Sequence, residues 1–525
     1  MGPVSNLPCV CIGPARVYHS SFLILNSPHG AVMSFNLFQL LERRFGPRAN
    51  GLTRREMLRA SAAAGAGLLL SNALGFSASR AAGKRVIVIG GGFGGMSAAY
   101  ELHQAGYAVV VVEARDRFGG RVRTLDRFVK DKTVEAGGEM VGANHPTWAA
   151  YAQQLGIKFR EIVYDKDAEA PIMLAGERLN PGAARRLWQE MKEALAMINA
   201  DAAKIDAYQP WKSAGALELD RRTTASWIEQ LAVSDQCKQA ITIQLTCING
   251  MIPAWQSYLG NLAMVKGGGL ENYWTQTDIY HAIDGNQQLA EEISDELGPD
   301  KIILATAATG IKIGPGSATV TLSDGQQLEA DDVILAVPAS TWNRIAFEPP
   351  LPPGLAPQMG TNTKFLVAVK GRFWEQEQLS PRSLADGPIN LTWEATNGQP
   401  GNVGACLTAY AGGPMADMAM AWSIEERQVK YLDILDQLYP GIARHYVKAD
   451  FVNWHNDPLA RGSYSFPAPG QVTSIGPILE QGLGRLHFAG EHCCPAFVGY
   501  MEGALQSGVR LARRLAERDG IVKPE

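Results

Sequence analysis

Val86-Ile87-Val88-Ile89-Gly90-Gly91-Gly92-Phe93-Gly94-Gly95-Met96-Ser97-Ala98-Ala99 decides the fold of this chain. Four β-branched residues run into glycines and then into small helix formers. That order predicts a buried parallel strand, a tight turn and a helix N-terminus. Gly90, Gly92 and Gly95 fall at the G-x-G-x-x-G spacing. The first lets the chain turn, the second lets backbone approach a pyrophosphate, and the third lets the helix pack close to the strand. The positive end of the helix dipole then faces the phosphates. With 55 glycines in 525 residues, the spacing alone is weak. Glu113 strengthens it. It closes a second apolar run, Val109-Val110-Val111-Val112, and puts a carboxylate where a ribose hydroxyl needs an acceptor, about 20 residues on. A dinucleotide site is predicted.

At 525 residues the chain has room for two or three domains. Hydrophobic residues make up 46% and charged residues 19%, which suits a large packed core and excludes a disordered chain. The formal net charge of −4 implies no general polyanion-binding surface, and no nucleic-acid module is present. The seven cysteines (Cys9, Cys11, Cys237, Cys247, Cys406, Cys493, Cys494) are too sparse for a disulfide scaffold and lack zinc-site spacing. They read as buried thiols, and no metal site is expected. An oxidising compartment could join Cys493 to Cys494.

Residues 1–83 read as a leader. Thr53-Arg54-Arg55-Glu56-Met57-Leu58 precedes a mildly apolar run from Ala60 to Phe76 and small residues to Ala82. This is similar to a twin-arginine export signal, with cleavage expected near Ala81 or Ala82. The run falls short of the ~20 strongly apolar residues of a membrane span. An anchor helix, or a helix packed on the domain, is the alternative. Residues 1–32 do not look like a signal n-region, and Met33 is the more natural start. A periplasmic or exported protein is expected.

Ala114-Arg115-Asp116-Arg117-Phe118-Gly119-Gly120-Arg121 follows Glu113 directly. Two glycines ahead of arginines make a second loop on which backbone approaches phosphate and a guanidinium offsets its charge. Glu135-Ala136-Gly137-Gly138-Glu139-Met140 supplies a third glycine turn. Together with Gly90 to Gly95, these segments resemble the flavin-dependent amine oxidase family, which includes monoamine, polyamine and L-amino-acid oxidases. The resemblance runs from about Lys84 to Glu517. It implies FAD rather than a nicotinamide, and a two-domain α/β fold. A discontinuous Rossmann-like FAD domain would take residues 84–150, 281–340 and 461–517. A mixed-sheet and helical substrate domain would take 151–280, read as helical, and 341–460. A tail would follow at 518–525.

The resemblance also implies roles. Gly90, Gly92, Gly95, Glu113, Ala114, Arg115, Gly120, Arg121, Gly137, Gly138 and Glu139 would bind the cofactor. Ala308 would lie against adenine, and Gly490 and Glu491 against the diphosphate and ribityl chain. Met501 would begin a helix aimed at the flavin carbonyl edge. Lys364 sits in a strand-period apolar stretch, where a lysine is costly unless solvated or paired. The resemblance gives it a water near flavin N5; a snorkelling strand lysine is the alternative. Ser463 matches the cysteine of the covalent monoamine oxidases, and a hydroxyl cannot form the thioether, so FAD is expected to be non-covalent. Tyr464 and Tyr500 would form the two walls of an aromatic cage, with Phe497 beside them.

The implied reaction is hydride loss from the α-carbon of an amine held in that cage. The imine then hydrolyses to an aldehyde or keto acid and ammonia. The acceptor would be oxygen or a membrane quinone; peripheral membrane contact and an oligomer stay open. Gln256 to Trp274 resembles bacterial amino-acid oxidases more closely, so the reading favours an L-amino acid. Arg461 and Gln256 are the candidate carboxylate anchors. A monoamine or polyamine oxidase, a tryptophan 2-monooxygenase-like enzyme and a flavin desaturase are the alternatives. Trp393 to Trp422 yields no chemistry from sequence.

Overall fold

The structure is a computed structural model that describes residues 31–32, 37–46, 54–67, 69, 83–164 and 167–523. Arg85–Ile89 forms the expected strand, with four of its five residues buried. It is central to a five-stranded parallel sheet in the order Ile302–Ile303, Ala108–Val112, Arg85–Ile89, Asp332–Leu335, Leu486–Phe488. Its register pairs Ile87 with Val110 on one side and with Val333 on the other. All neighbours run parallel, so the carboxyl ends of the strands share one edge. That edge is where α/β sheets bind their ligands. The helices Phe93–Gln104 and Met501–Arg518 cross closely: a Cβ on Gly508 would stand 2.1 Å from Ser97 Oγ.

A second, seven-stranded sheet runs Tyr446–Asn453, Asn362–Val369, Ala405–Gly412, Leu391–Glu394, Ser383–Ala385, Ile172–Leu174, Glu177–Arg178. Asn362–Val369 is buried along its full length. It therefore places Lys364 in the interior, between the two sheets' contributions to the cavity described below. The helices Pro181–Ala202, Asp235–Asn249 and Tyr258–Gly267 pack together with part of this sheet.

One sequence reading changes. The 151–280 stretch is not wholly helical: Phe159–Glu161 pairs with Tyr280–Ala282, and Ile172–Leu174 joins the large sheet. These strands are too short for their period to show. Tyr258–Gly267 is a helix buried on nearly every face. Its mostly apolar sequence, with Asn261 itself buried, hides helical periodicity. The described helices of residues 1–83 pack on the fold. Leu37–Phe45 buries Leu37, Phe38, Leu40 and Leu41, and Trp188 donates to Glu42. Arg54–Ala66 lies on Pro146–Leu155, with Leu58 and Ala62 buried and the Ser61 hydroxyl donating to the Ala143 carbonyl. The expected cleavage site at Ala81 or Ala82 lies outside the described residues.

Candidate active site

One cavity of about 500 Å³ runs from the carboxyl edge of the parallel sheet to the face of the seven-stranded sheet. Gly90, Gly92, Glu113, Ala114, Arg115, Gly120 and Arg121 line one end, with Ala308 beside them. Gly90 has φ +113°, open to glycine but strained for other residues, and a Cβ there would meet the Ala336 carbonyl at 2.8 Å. No side chain caps the helix at Gly92, so its N-terminus faces the cavity. A Cβ on Gly92 would find no atom nearer than Gly120 Cα at 4.0 Å. The room is therefore for a ligand, not for protein. Glu113 is fixed by the N–H groups of Gly91 (2.6 Å) and Arg115 (2.7 Å), one on each carboxylate oxygen. Each oxygen keeps a lone pair for a ribose hydroxyl. Arg115 is held bidentate by Asp457 at 3.0 and 2.6 Å. The cradle fits FAD: glycine backbone and an uncapped helix for the diphosphate, Glu113 for the ribose.

Gly137, Gly138, Glu139 and Lys364 line the middle of the cavity. Lys364 Nζ donates to the carbonyls of Glu135 (3.0 Å) and Gly137 (2.8 Å) and to Glu139 Oε2 (2.7 Å). It is thus a paired interior lysine and does not snorkel. Glu139 Oε1 accepts from Trp393 Nε1 at 2.9 Å. Nearby, Glu135 accepts from the Asn286 N–H at 2.7 Å and from the Thr124 hydroxyl at 3.1 Å. Burial nevertheless pushes its carboxyl up from 4.5 to about 8, with Glu139 adding to the rise.

This shift sets a pH dependence. Between those two values the unfolded chain has released the Glu135 proton while the folded chain still holds it. Folding stability therefore falls as pH rises through that window. Glu135→Gln, which copies the protonated form, is expected to unfold at nearly the wild-type temperature at pH 5 and at a higher temperature at pH 8. Thermal unfolding across that range checks it; a constant difference between the two proteins would contradict the assignment.

Ser463, Tyr464, Tyr500 and Met501 line the far end. The Ser463 hydroxyl donates to the Gly360 carbonyl (2.9 Å) and lies 2.7 Å from Asn362 Oδ1. Gly490 and Glu491 also line the cavity, but the Glu491 carboxylate is engaged by protein. Arg121 Nη1 and the Ser465 N–H meet Oε1 at 3.1 and 3.0 Å; the Ser465 hydroxyl and the Gly499 N–H meet Oε2 at 2.6 and 2.9 Å. Arg121 also donates to the Ser463 carbonyl at 2.7 Å. Glu491 thus ties the chain after Tyr464 to the chain before Tyr500, and Arg121 ties Glu491 to Ser463.

The two predicted tyrosines are half of a larger set. Tyr464 OH meets Tyr410 OH at 2.8 Å and donates to the Cys247 carbonyl; Tyr500 OH meets Tyr273 OH at 3.2 Å. Burial holds the Tyr464 and Tyr500 phenols well above the ordinary value, so both stay neutral. They can orient a substrate but cannot act as bases near neutral pH. Tyr410 and Trp393 lie in the stretch whose sequence yielded no chemistry. Each sits on a strand facing the cavity, and only the strand pairing of Leu391–Glu394 with Ala405–Gly412 brings them together.

Four expected site residues lie elsewhere. Gly95 does not line the cavity; it packs the helix against the turn, where a Cβ would stand 1.9 Å from the Gly90 carbonyl oxygen. Phe497 does not line the cavity. It is 2% exposed and sits behind Tyr500, its ring 5.7 Å from that of His145. The short turn Pro495–Phe497 directs it into a small core with Cys494 and Ala496. Gln256 is fully buried and spends its amide on the Leu245 and Met251 carbonyls. Arg461 is exposed, at φ +50°, outside the cavity lining. Cys493 and Cys494 are free thiols packed in separate clusters, Cys493 toward Phe488 and Cys494 toward Phe497.

A parallel nucleotide-binding sheet, an uncapped glycine-rich helix start and an aromatic far chamber in one cavity define a flavin-dependent oxidoreductase. The profile of the flavin containing amine oxidoreductase family matches residues 93–516, and the chain belongs to that family. FAD is its cofactor. The chain is 26% identical over 459 residues to a probable flavin-containing monoamine oxidase A of Dictyostelium discoideum, covering 82% of this chain and 97% of that one. It is 30% identical over 466 residues to flavin-containing amine oxidase B of Homo sapiens, covering 83% and 87%. Among solved structures, cyclohexylamine oxidase from Brevibacterium oxydans IH-35A superposes with a TM-score of 0.75 at 25% identity, covering 83% of this chain and 99% of that chain. Wild-type putrescine oxidase bound to putrescine gives the same score, identity and coverage.

Proposed function

We propose that this chain oxidises the C–N bond of a primary amine that carries no carboxylate, with oxygen as the final acceptor. The chemistry of the far chamber carries the reading. Tyr410, Tyr464, Tyr500, Trp393, Leu391 and Ile248 give it apolar and aromatic walls. Among the described residues its further charged lining group is Asp278, which lies close enough to act electrostatically on Tyr273, Tyr410 and Tyr500. An α-amino acid needs a cation for its carboxylate. Among the described lining residues, Lys364 is spent on Glu139 and two carbonyls, and Arg121 is charge-paired with Glu491 through the Nη1 that also meets the Ser463 carbonyl. Arg115 and Arg344 belong to the opposite end, bonded to Asp457 and the Pro458 carbonyl. The relatives named for monoamine, cyclohexylamine and putrescine oxidation favour the same choice.

The tyrosine rings bind the hydrocarbon part of the amine and exclude water around its α-carbon. Bound FAD supplies the hydride acceptor. The amine loses two electrons and two protons to become an imine, and water releases aldehyde and ammonia from it. Oxygen takes the electrons and protons as hydrogen peroxide. Anaerobic mixing with benzylamine, cyclohexylamine, putrescine and a set of L-amino acids tests the reading. Bleaching of the flavin spectrum by at least one of the amines, and peroxide on admitting air, is expected. Bleaching by L-amino acids alone would overturn it.

A further inference from the structure

The three N–H bonds of the Lys364 ammonium are all made within the protein, to two carbonyls and to Glu139 Oε2. An ammonium has three protons to donate. All three are engaged by protein atoms, which fixes the ammonium against the Glu139 carboxylate. What the pair presents to the cavity is charge. The Glu139 side chain is 2% exposed and that of Lys364 10%, and both line the cavity beside Gly137 and Gly138. Trp393 holds the other carboxylate oxygen and lies against Lys364, its ring centroid 5.6 Å from Nζ.

We propose that Glu139 is a positioning residue that pins Lys364 and cancels its charge, so that this wall meets the isoalloxazine as a neutral ion pair and not as a bare cation. The inference rests on FAD occupying the cavity and not on the choice of amine. The neighbours favour a closed pair. The other titratable groups that feel Glu139 are Glu135, His281 and Cys406. Burial holds each neutral near pH 7: it lifts the carboxyl and the thiol and lowers the imidazole to about 4. Arg160, which acts on His281, is the further cation on that side. In a water-poor interior, removing one member of such a pair exposes the other charge with little screening.

A bare cation favours reduced flavin, which gains negative charge; a bare carboxylate opposes it. The test is the midpoint potential of the FAD-loaded protein, read by dye-coupled reductive titration. Glu139→Gln is expected to shift the oxidised–reduced equilibrium about tenfold toward reduced flavin, or about 30 mV upward for a two-electron couple. Lys364→Met is expected to shift it downward. The double variant, neutral again, is expected to return close to wild type, and Glu139→Asp to stay there. Shifts of the same sign in both single variants, a double variant no closer to wild type than the single ones, or unchanged potentials would each overturn the proposal. If Glu139→Gln fails to load FAD, Lys364→Met and the double variant decide the matter: the double must lie above Lys364→Met, and equal potentials would overturn it. Amine specificity plays no part in these readings, so an error in the proposed substrate leaves them intact.

Discussion

Gly95→Ala is expected to yield a protein that is both less stable and largely empty of FAD, whereas Gly92→Ala is expected to lose FAD affinity with its fold almost unchanged. The two glycines are three residues apart and meet different neighbours. A Cβ on Gly95 would stand 1.9 Å from the Gly90 carbonyl oxygen and 3.1 Å from Ala336 Cβ. Both are parts of the strand–turn–helix core, so no side-chain rotation relieves the clash. The helix Phe93–Gln104 must back away from the sheet, and overpacking of this kind costs about 1–3 kcal/mol or more. The same movement carries the helix N-terminus away from the diphosphate. A Cβ on Gly92 meets no protein atom inside 4.0 Å, but it protrudes where phosphate oxygens must approach backbone. Even 1.4 kcal/mol of lost contact there is a tenfold weaker Kd. Thermal unfolding with excess FAD separates the two, alongside FAD occupancy after gel filtration. Equal unfolding temperatures for both variants would show that Gly95 is not the packing glycine.

The contrast explains why the nucleotide end was so legible in sequence. Its requirements are local: a strand, a turn and a helix start within 14 residues, then a carboxylate at the end of the next strand. Gly90, Gly95 and Glu113 carry those constraints in their own types, because only glycine tolerates a carbonyl at that distance. Lys364 was also visible, since a lysine in a fully buried strand demands a partner. Its partner is hidden, because Glu139 lies 225 residues away and its place beside a glycine turn points to the cofactor. Tyr410 and Tyr273 went unread for the same reason. Each looks like a core tyrosine until sheet register sets it against Tyr464, or the helix Glu271–Gln276 sets it against Tyr500. Phe497 failed in the opposite direction. Its position two residues before the Gly499-Tyr500 motif suggested the chamber, but a short turn aims it at Cys494.

Glu491→Ala is expected to unfold at a much lower temperature and to raise KM for amine, while the FAD that remains bound does so with modestly altered affinity. The carboxylate is the junction between the two halves of the cage. Its four donors come from Arg121, from the backbone and hydroxyl of Ser465, and from the Gly499 N–H. Ser465 follows Tyr464 directly and Gly499 precedes Tyr500. A Cβ on Gly499 would stand 3.3 Å from Tyr464 Cδ2, so the two segments are already in contact. Deleting the carboxylate leaves the part-buried Arg121 guanidinium, 20% exposed, without its counter-charge, a loss below the about 3–5 kcal/mol of fully buried pairs. Each orphaned N–H adds about 1–3 kcal/mol unless water replaces the bond. Arg121 keeps its bond to the Ser463 carbonyl, and Glu113 and the glycine turns keep the nucleotide end, so cofactor binding is less affected than the cage. Glu491→Gln retains an acceptor but loses the charge, and should fall between wild type and Glu491→Ala in both unfolding temperature and KM. If Glu491 acted chiefly by touching the cofactor, the FAD Kd would rise in both variants while KM of the loaded fraction stayed at the wild-type value. The geometry predicts the reverse. KM moves because the Tyr464 and Tyr500 walls are free to part, and the misplacement of a substrate by as little as about 1 Å can cost a hundredfold in rate.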